Sequence, residues 1–114
     1  MAPAAPSRAV DTAVELIEGR PESAHDLASL ARATHVSARS LQKAYRRELD
    51  TSVVEYVRGA RLQHARRELL SAQPDTATVA AVAYRWGFAH PGRFSIWYRQ
   101  RFGESPSQTL RRPG

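Results

Sequence analysis

Apolar residues recur along this chain at helical spacing, in stretches separated by glycine, proline and small polar residues. Val10, Ala13, Val14 and Ile17 form a first stripe, predicting a helix from about Ser7 to Gly19 that Gly19 and Pro21 close. Ser23 with Asp26 reads as a capping signal for a second helix. Its inner face is Leu27, Leu30 and Ala31, and it ends near Ala33, Thr34 and His35. Ser37 caps a third helix with Leu41, Ala44, Tyr45 and Leu49 inward. The opposite face of that helix is Arg39, Gln42, Lys43 and Arg46, at i, i+3, i+4, i+7. Ser52 with Glu55 is a capping-box pattern opening a helix to about Leu70.

That fourth helix carries two stripes. At 100° per residue, Val53, Tyr56, Val57 and Ala60 gather on one side, while Leu62, Ala65 and Leu69 lie roughly 160° away. A helix packed on one core keeps one stripe, so this one is expected to serve two cores as a strut between two small lobes. Further on, Val79, Val82, Ala83 and Trp86 form a short stripe ended by Gly87, where a left-handed residue can close a helix. Pro91 sits at the first turn of the next helix, which tolerates a missing N–H. Phe94, Trp97, Tyr98, Arg101 and Phe102 continue it, with the Arg101 stem along its apolar edge. Gly103 follows, then Ser105 and Pro106 as cap and first residue of a last short helix to about Arg111. Arg111, Arg112, Pro113 and Gly114 are expected to fray.

The two halves repeat. LASLARATHV (27–36) aligns with VAAVAYRWGF (79–88) without a gap, 52 residues apart. LQKAY (41–45) aligns with FSIWY (94–98), 53 apart, so the second copy has one extra residue in its turn. His35 stands where the second copy has Gly87, and histidine enters the left-handed region more readily than most residues. Each copy is two helices joined by a tight turn, the helix-turn-helix pattern of DNA readers.

Charge agrees with a polyanionic partner. The 17 basic and 11 acidic residues give +6, with a pI of about 10.7. Residues 1–30 hold two basic and five acidic side chains, and the other fifteen basic residues lie in 31–114 with six acidic ones. The positive potential therefore belongs to the part that contains the repeats, and a basic face binds phosphates by releasing their counterions. The chain has no cysteine, which removes disulfides and thiolate zinc sites. No apolar run reaches the ~18 residues of a membrane span, and the start lacks the plan of a signal peptide. A cytoplasmic protein of one domain in two lobes is expected, with residues 1–6 a linker or engineered remnant. The lobes are then 7–50 and 72–114, with the bridging helix at 51–71. His25, His35, His64 and His90 are scattered, and no i, i+4 histidine pair, phosphate loop or nucleophile motif occurs. No enzyme, cofactor or metal site is expected.

With both units and the strut in place, residues 8–111 resemble the DNA-binding domain of the AraC/XylS family of bacterial transcription regulators. The resemblance rests on SARSLQKAYRREL (37–49), SVVEYVRGARLQHARRELL (52–70) and VAYRWGFAHPGRFSIWYRQRFGESP (82–106). Val82-Ala83, Gly87-Phe88, Phe94 with Tyr98, and Gly103-Glu104-Ser105-Pro106 match the family pattern. It implies an all-α domain of about seven helices. Its recognition helices, about 37–49 and 90–102, enter successive major-groove segments about 34 Å apart.

Carried over, the base-reading face of the first unit is Arg39, Gln42, Lys43 and Arg46. That of the second is Pro91, Gly92, Ser95 and Ile96 with Arg93, and Arg47, Arg99 and Arg101 fit phosphate contacts. Gln42 can pair with adenine and the cations with guanine. Pro91 and Gly92 offer no side-chain donor and Ile96 stands where an arginine is frequent, so the first unit is expected to carry most direct readout. Asp50 replaces the glycine usual after the third helix, which leaves that cap open. The aromatics Trp86, Phe88, Phe94, Trp97 and Tyr98 are expected in the core. Arg61 and Arg66 on the strut are expected to serve structure or phosphate. The resemblance implies double-stranded DNA as partner, RNA polymerase as a candidate partner, and a monomeric isolated domain. Family members commonly carry a separate effector or dimerisation domain, for which 114 residues leave no room. The alternative is a helical adaptor for an acidic protein surface, or an RNA binder without sequence preference.

Overall fold

The computed structural model describes residues 6–23 and 25–112, and among them are seven helices and no strand. In order these are α1 (Pro6–Gly19), α2 (Leu27–Thr34), α3 (Ala38–Leu49), α4 (Val53–Ser71), α5 (Val79–Arg85), α6 (Pro91–Phe102) and α7 (Pro106–Leu110). The chain divides into two compact units, Met1–Ala60 and Arg61–Gly114, and the division falls inside α4.

The first unit buries Val10, Ala13, Ile17, Leu30, Ala31, Leu41, Ala44, Tyr45, Val53, Val57 and Ala60, with Val14, Leu27 and Tyr56 packed at the margin. The second buries Leu62, Ala65, Leu69, Val82, Ala83, Phe88, Phe94, Tyr98 and Leu110, with Val79, Trp86, Trp97 and Phe102 half-buried around them. The two stripes of α4 therefore supply two cores, one in each unit, as their angular separation requires.

Helix starts follow side-chain capping. Ser37 accepts the Ser40 N–H at 3.0 Å, Thr78 the Ala81 N–H at 3.1 Å and Ser105 the Gln108 N–H at 3.2 Å. At α2 the cap is Asp26 and not Ser23. Ser23 is held in a turn by its own N–H on the Arg20 carbonyl, whereas Asp26 adjoins the first helical residue. The Asp26 carboxylate accepts the Ser29 N–H at 2.7 Å, and the Ser29 hydroxyl oxygen accepts the Asp26 N–H. The Ser29 backbone N–H, and after it the Ser29 side chain, hold its carboxyl below the usual value. Ser52 accepts the Glu55 N–H, but Glu55 returns to the Ser52 hydroxyl and not to its backbone N–H.

Other expectations shift at the edges. Leu49, expected inward, is 39% exposed at the last position of α3. Pro6 opens α1, while the rest of the expected linker lies outside the described residues. Arg112 is tied down by its N–H on the Thr109 carbonyl and its guanidinium on Glu104 at 2.6 Å, so fraying does not begin at Arg111; Pro113 and Gly114 lie outside the described residues.

The repeat extends further than its aligned segments. The caps Asp26 and Thr78 are 52 residues apart, and so are the left-handed turn residues His35 (φ 61°) and Gly87 (φ 89°). Val36 N–H reaches the Ala31 carbonyl as Phe88 N–H reaches that of Ala83, the six-to-one bond of a Schellman end. After the extra residue the offset is 53: caps Ser37 and His90, left-handed ends Asp50 (φ 53°) and Gly103 (φ 77°), caps Ser52 and Ser105. The Asp50 cap holds without glycine, its N–H on the Arg46 carbonyl at 3.1 Å. The core residues Val10, Ala13 and Ile17 of α1 correspond to Leu62, Ala65 and Leu69. Helix α4 thus fuses the closing helix of one copy to the opening helix of the next.

Candidate nucleic-acid interface

On α3 the four polar residues spaced at i, i+3, i+4, i+7 come together. Arg39, Gln42, Lys43 and Arg46 line one shallow hollow, whose remaining walls are Leu27 from the start of α2 and Ala38 from the start of α3. Arg39, Lys43 and Arg46 are exposed and Gln42 is half-buried. The Gln42 side-chain oxygen accepts the N–H of Val53, the first residue of α4, at 3.4 Å. That N–H is one of the donors a helix start leaves without an internal partner, so Gln42 ties the reading helix to the next one. Arg47 lies beside this face with its side chain 64% exposed and 3.9 Å from Glu48. The sequence pattern places Leu27 on the inner face of α2 and assigns Ala38 no role; both sit at first helical positions, where the hydrophobic pattern alone cannot distinguish a rim residue from a core one.

On α6 the equivalent face is thinner. His90 precedes the helix without a side-chain cap, and Pro91 occupies the first helical position half-buried. Gly92 and Arg93 are exposed, Ser95 is half-buried and Ile96 is 58% exposed. A side chain at Gly92 would meet no atom within 4 Å. By the repeat, Gly92, Ser95, Ile96 and Arg99 stand where α3 has Arg39, Gln42, Lys43 and Arg46. Arg99 thereby falls in line with that row and not only beside it. The Arg101 guanidinium lies 5.8 Å from the Phe102 ring centroid while remaining exposed, as its position on the apolar edge requires.

The strut arginines of the second unit serve structure. Arg66 sits 4.7 Å over the Phe102 ring and 3.9 Å from Glu104, and its side chain is 22% exposed. The Arg61 guanidinium lies over Gly87, where a methyl group would be 3.1 Å from its central carbon. Glu104 also receives Arg112 and the hydroxyl of Thr109, and Thr109 accepts from Tyr98 at 2.8 Å. This network fixes α7 and the end of α6, so the outer face of α6 is carried on a stiff base. Phe88, Phe94 and Tyr98 are buried and Trp97 half-buried in mutual ring contacts of the core, and half-buried Trp86 packs on the His64 ring at 5.1 Å; they form no stacking platform.

Residues 30–112 match the protein family described as "Helix-turn-helix domain". The chain is 41% identical over 102 residues to the probable thc operon regulatory protein of Rhodococcus erythropolis, covering 90% of this chain and 31% of that protein. The crystal structure of a probable AraC family transcriptional regulator from Rhodopseudomonas palustris superposes with a TM-score of 0.85 at 34% identity, covering 93% of this chain and 99% of that one. The chain belongs to the AraC family. As an AraC-type helix-turn-helix domain it is of a DNA-binding kind found in transcription regulators, not an enzyme. The fold is shared with the DNA-binding domain of AdpA, crystallised with a target DNA, at a TM-score of 0.78 and 22% identity over 89% of this chain and 88% of that one. This AraC-type chain spans about a third of the length of its curated relatives from Rhodococcus and Pseudomonas. Among its described residues no helix is long and apolar enough to cross a membrane, and no cluster of metal ligands occurs.

Proposed function

We propose that the chain recognises double-stranded DNA by sequence, as a monomer on an asymmetric site, with α3 and α6 in successive major-groove segments. The first lobe (7–50) and second lobe (72–114) then act as two readers on the bridging segment 51–71. Base contacts come from Arg39, Gln42, Lys43 and Arg46 on α3, and from Gly92, Arg93, Ser95 and Ile96 on α6. Arg47 and Arg101 contact phosphates, and Arg99 contacts either phosphate or a base edge. The observation that carries this reading is the convergence of four groove-compatible side chains around one hollow on α3. Because the α6 row offers a glycine and an isoleucine where α3 offers an arginine and a lysine, α3 carries most of the discrimination. Such a domain works in the cytoplasm on promoter DNA, in reach of RNA polymerase.

Titration onto duplexes of varied sequence at several salt concentrations tests this. Specific binding that falls steeply with salt is expected, since each neutralised phosphate contributes to the slope. Equal affinity for every duplex, or a preference for RNA, contradicts it. Binding indifferent to salt would favour an adaptor for a protein surface.

A further inference from the structure

The polar groups around the α3 hollow share one property: they are donors. Arginine and lysine carry no acceptor at all, which disposes of Arg39, Lys43 and Arg46. Gln42 is the one member of the row with an acceptor, and that oxygen is turned to the Val53 N–H. The cap of α4, Ser52, is occupied with the Glu55 N–H, so the bond from Gln42 is what satisfies Val53. With the oxygen directed at Val53, the amide NH₂ is the end of Gln42 left to face the groove. Glu48, the carboxylate of α3, lies about 200° around the helix from Arg46 and pairs with Arg47. The rest of the hollow is hydrocarbon, from Leu27 and Ala38.

Base edges in the major groove sort cleanly against such a surface. Guanine shows two acceptors, and thymine shows one acceptor and a methyl group. Adenine and cytosine each present an amino group, which here would face another donor. We infer that α3 reads keto bases, guanine and thymine, with a thymine methyl seated against Leu27 and Ala38. This rests on the DNA-reading function proposed above. It also reverses the pairing of Gln42 with adenine expected from residue type, because a two-bond grip on adenine needs the amide oxygen and NH₂ turned together to one base edge, and here the oxygen is directed at Val53. Gln42 is then both a specificity residue and a positioning residue for the α3–α4 corner.

The test starts with selection of binding sites from randomised duplexes by the whole chain, then replaces single bases by analogues in the selected site. In the α3 half-site, removing the methyl of one thymine by deoxyuridine is expected to weaken binding by about fourfold. Replacing a contacted guanine by 7-deazaguanine is expected to weaken it about tenfold. Gln42→Glu keeps one oxygen for Val53 and offers a second to the groove, so preference at one position should shift about tenfold toward adenine or cytosine. Gln42→Met, which loses both groups, should lose preference at that position and acquire none. An adenine in that half-site whose amino group cannot be removed without a tenfold loss would overturn the inference. So would a folded Gln42→Glu variant, judged by its thermal melt, with unchanged base preference. If Gln42→Glu does not fold, the analogue series on the unaltered chain decides alone. A chain that selects no sequence at all refutes the function itself, an outcome distinct from selecting an amino-base site.

Discussion

Two tyrosines in equivalent positions of the repeat, Tyr45 and Tyr98, are both fully buried, yet their hydroxyls fare differently. Tyr98 donates to Thr109, whereas the Tyr45 hydroxyl has no hydrogen-bond partner. The position corresponding to Thr109 is Tyr56, whose ring packs edge-on against Tyr45 at 5.7 Å and whose hydroxyl reaches Glu18 at 3.1 Å. A buried polar group without a partner is costly, so removing it should be harmless. Tyr45→Phe is expected to leave stability unchanged or raise it, while Tyr98→Phe lowers it by about 1 kcal/mol. Urea denaturation of the two variants gives the comparison, and equal losses would contradict it. A second residue-scale contrast concerns the left-handed ends. His35 and Asp50 carry side chains at positive φ where the second copy has Gly87 and Gly103. Asp50→Gly should therefore stabilise by up to about 1 kcal/mol, and Gly87→Ala should destabilise, because it adds a strained φ and a contact on Arg61. Thermal melts of the two variants moving in the same direction would refute this.

The tyrosine cluster also sets an alkaline limit for the first unit. Burial pushes the Tyr56 hydroxyl up to about 12, with its hydrogen bond to the Glu18 carboxylate adding to the effect. Tyr45 is raised further by burial and by the neighbouring Tyr56 and Glu18. Below pH 10 these groups are neutral folded or unfolded, so stability does not depend on them. As pH rises from the usual value of 10.0 towards 12, the unfolded chain ionises first and stability falls. Tyr56→Phe is expected to flatten that decline, read as the slope of unfolding free energy against pH; an unchanged slope would exclude Tyr56 as its source.

At the scale of elements, the helices and their inner faces follow from apolar spacing, because period 3.6 leaves few alternatives for stripes such as Val10, Ala13 and Ile17. Caps are harder to place. Ser23 and Asp26 are both good caps by type, and the choice depends on where the turn after Pro21 delivers the chain. The outward row of α3 was readable as a row, but not the engagement of Gln42 with Val53, which spans eleven residues and depends on the angle between α3 and α4. Leu27 was readable as an inner-face residue but not as a rim residue, because its place on the rim depends on how α2 packs beside α3. The length of the repeat was partly hidden because α4 carries pieces of both copies in one continuous helix. The same comparison makes α6 a candidate for gain of function. Gly92→Arg and Ile96→Lys transplant the α3 row into open space and onto an exposed position. Together they are expected to raise affinity for duplexes with guanines in the α6 half-site by about tenfold or more, measured by fluorescence anisotropy. No gain on any duplex would remove α6 from the interface.

The whole molecule combines a duplicated helical lobe, an excess of positive charge after residue 30 and a donor-rich face on α3. The acidic start, with Asp11, Glu15 and Glu18 exposed on α1, keeps the basic surface confined to the later part of the chain. Confinement of that kind orients a protein on a polyanion and does not merely attach it. Under the proposed function, phosphate contacts would supply affinity and the α3 row choice. The most direct measurement is site selection from a randomised duplex pool by the unaltered chain, by Lys43→Ala and by Ile96→Ala, at fixed salt. One defined, asymmetric site is expected for the unaltered chain, loss of preference over part of it with Lys43→Ala, and a nearly unchanged site with Ile96→Ala. Selection of no sequence, or a larger loss with Ile96→Ala than with Lys43→Ala, would contradict it.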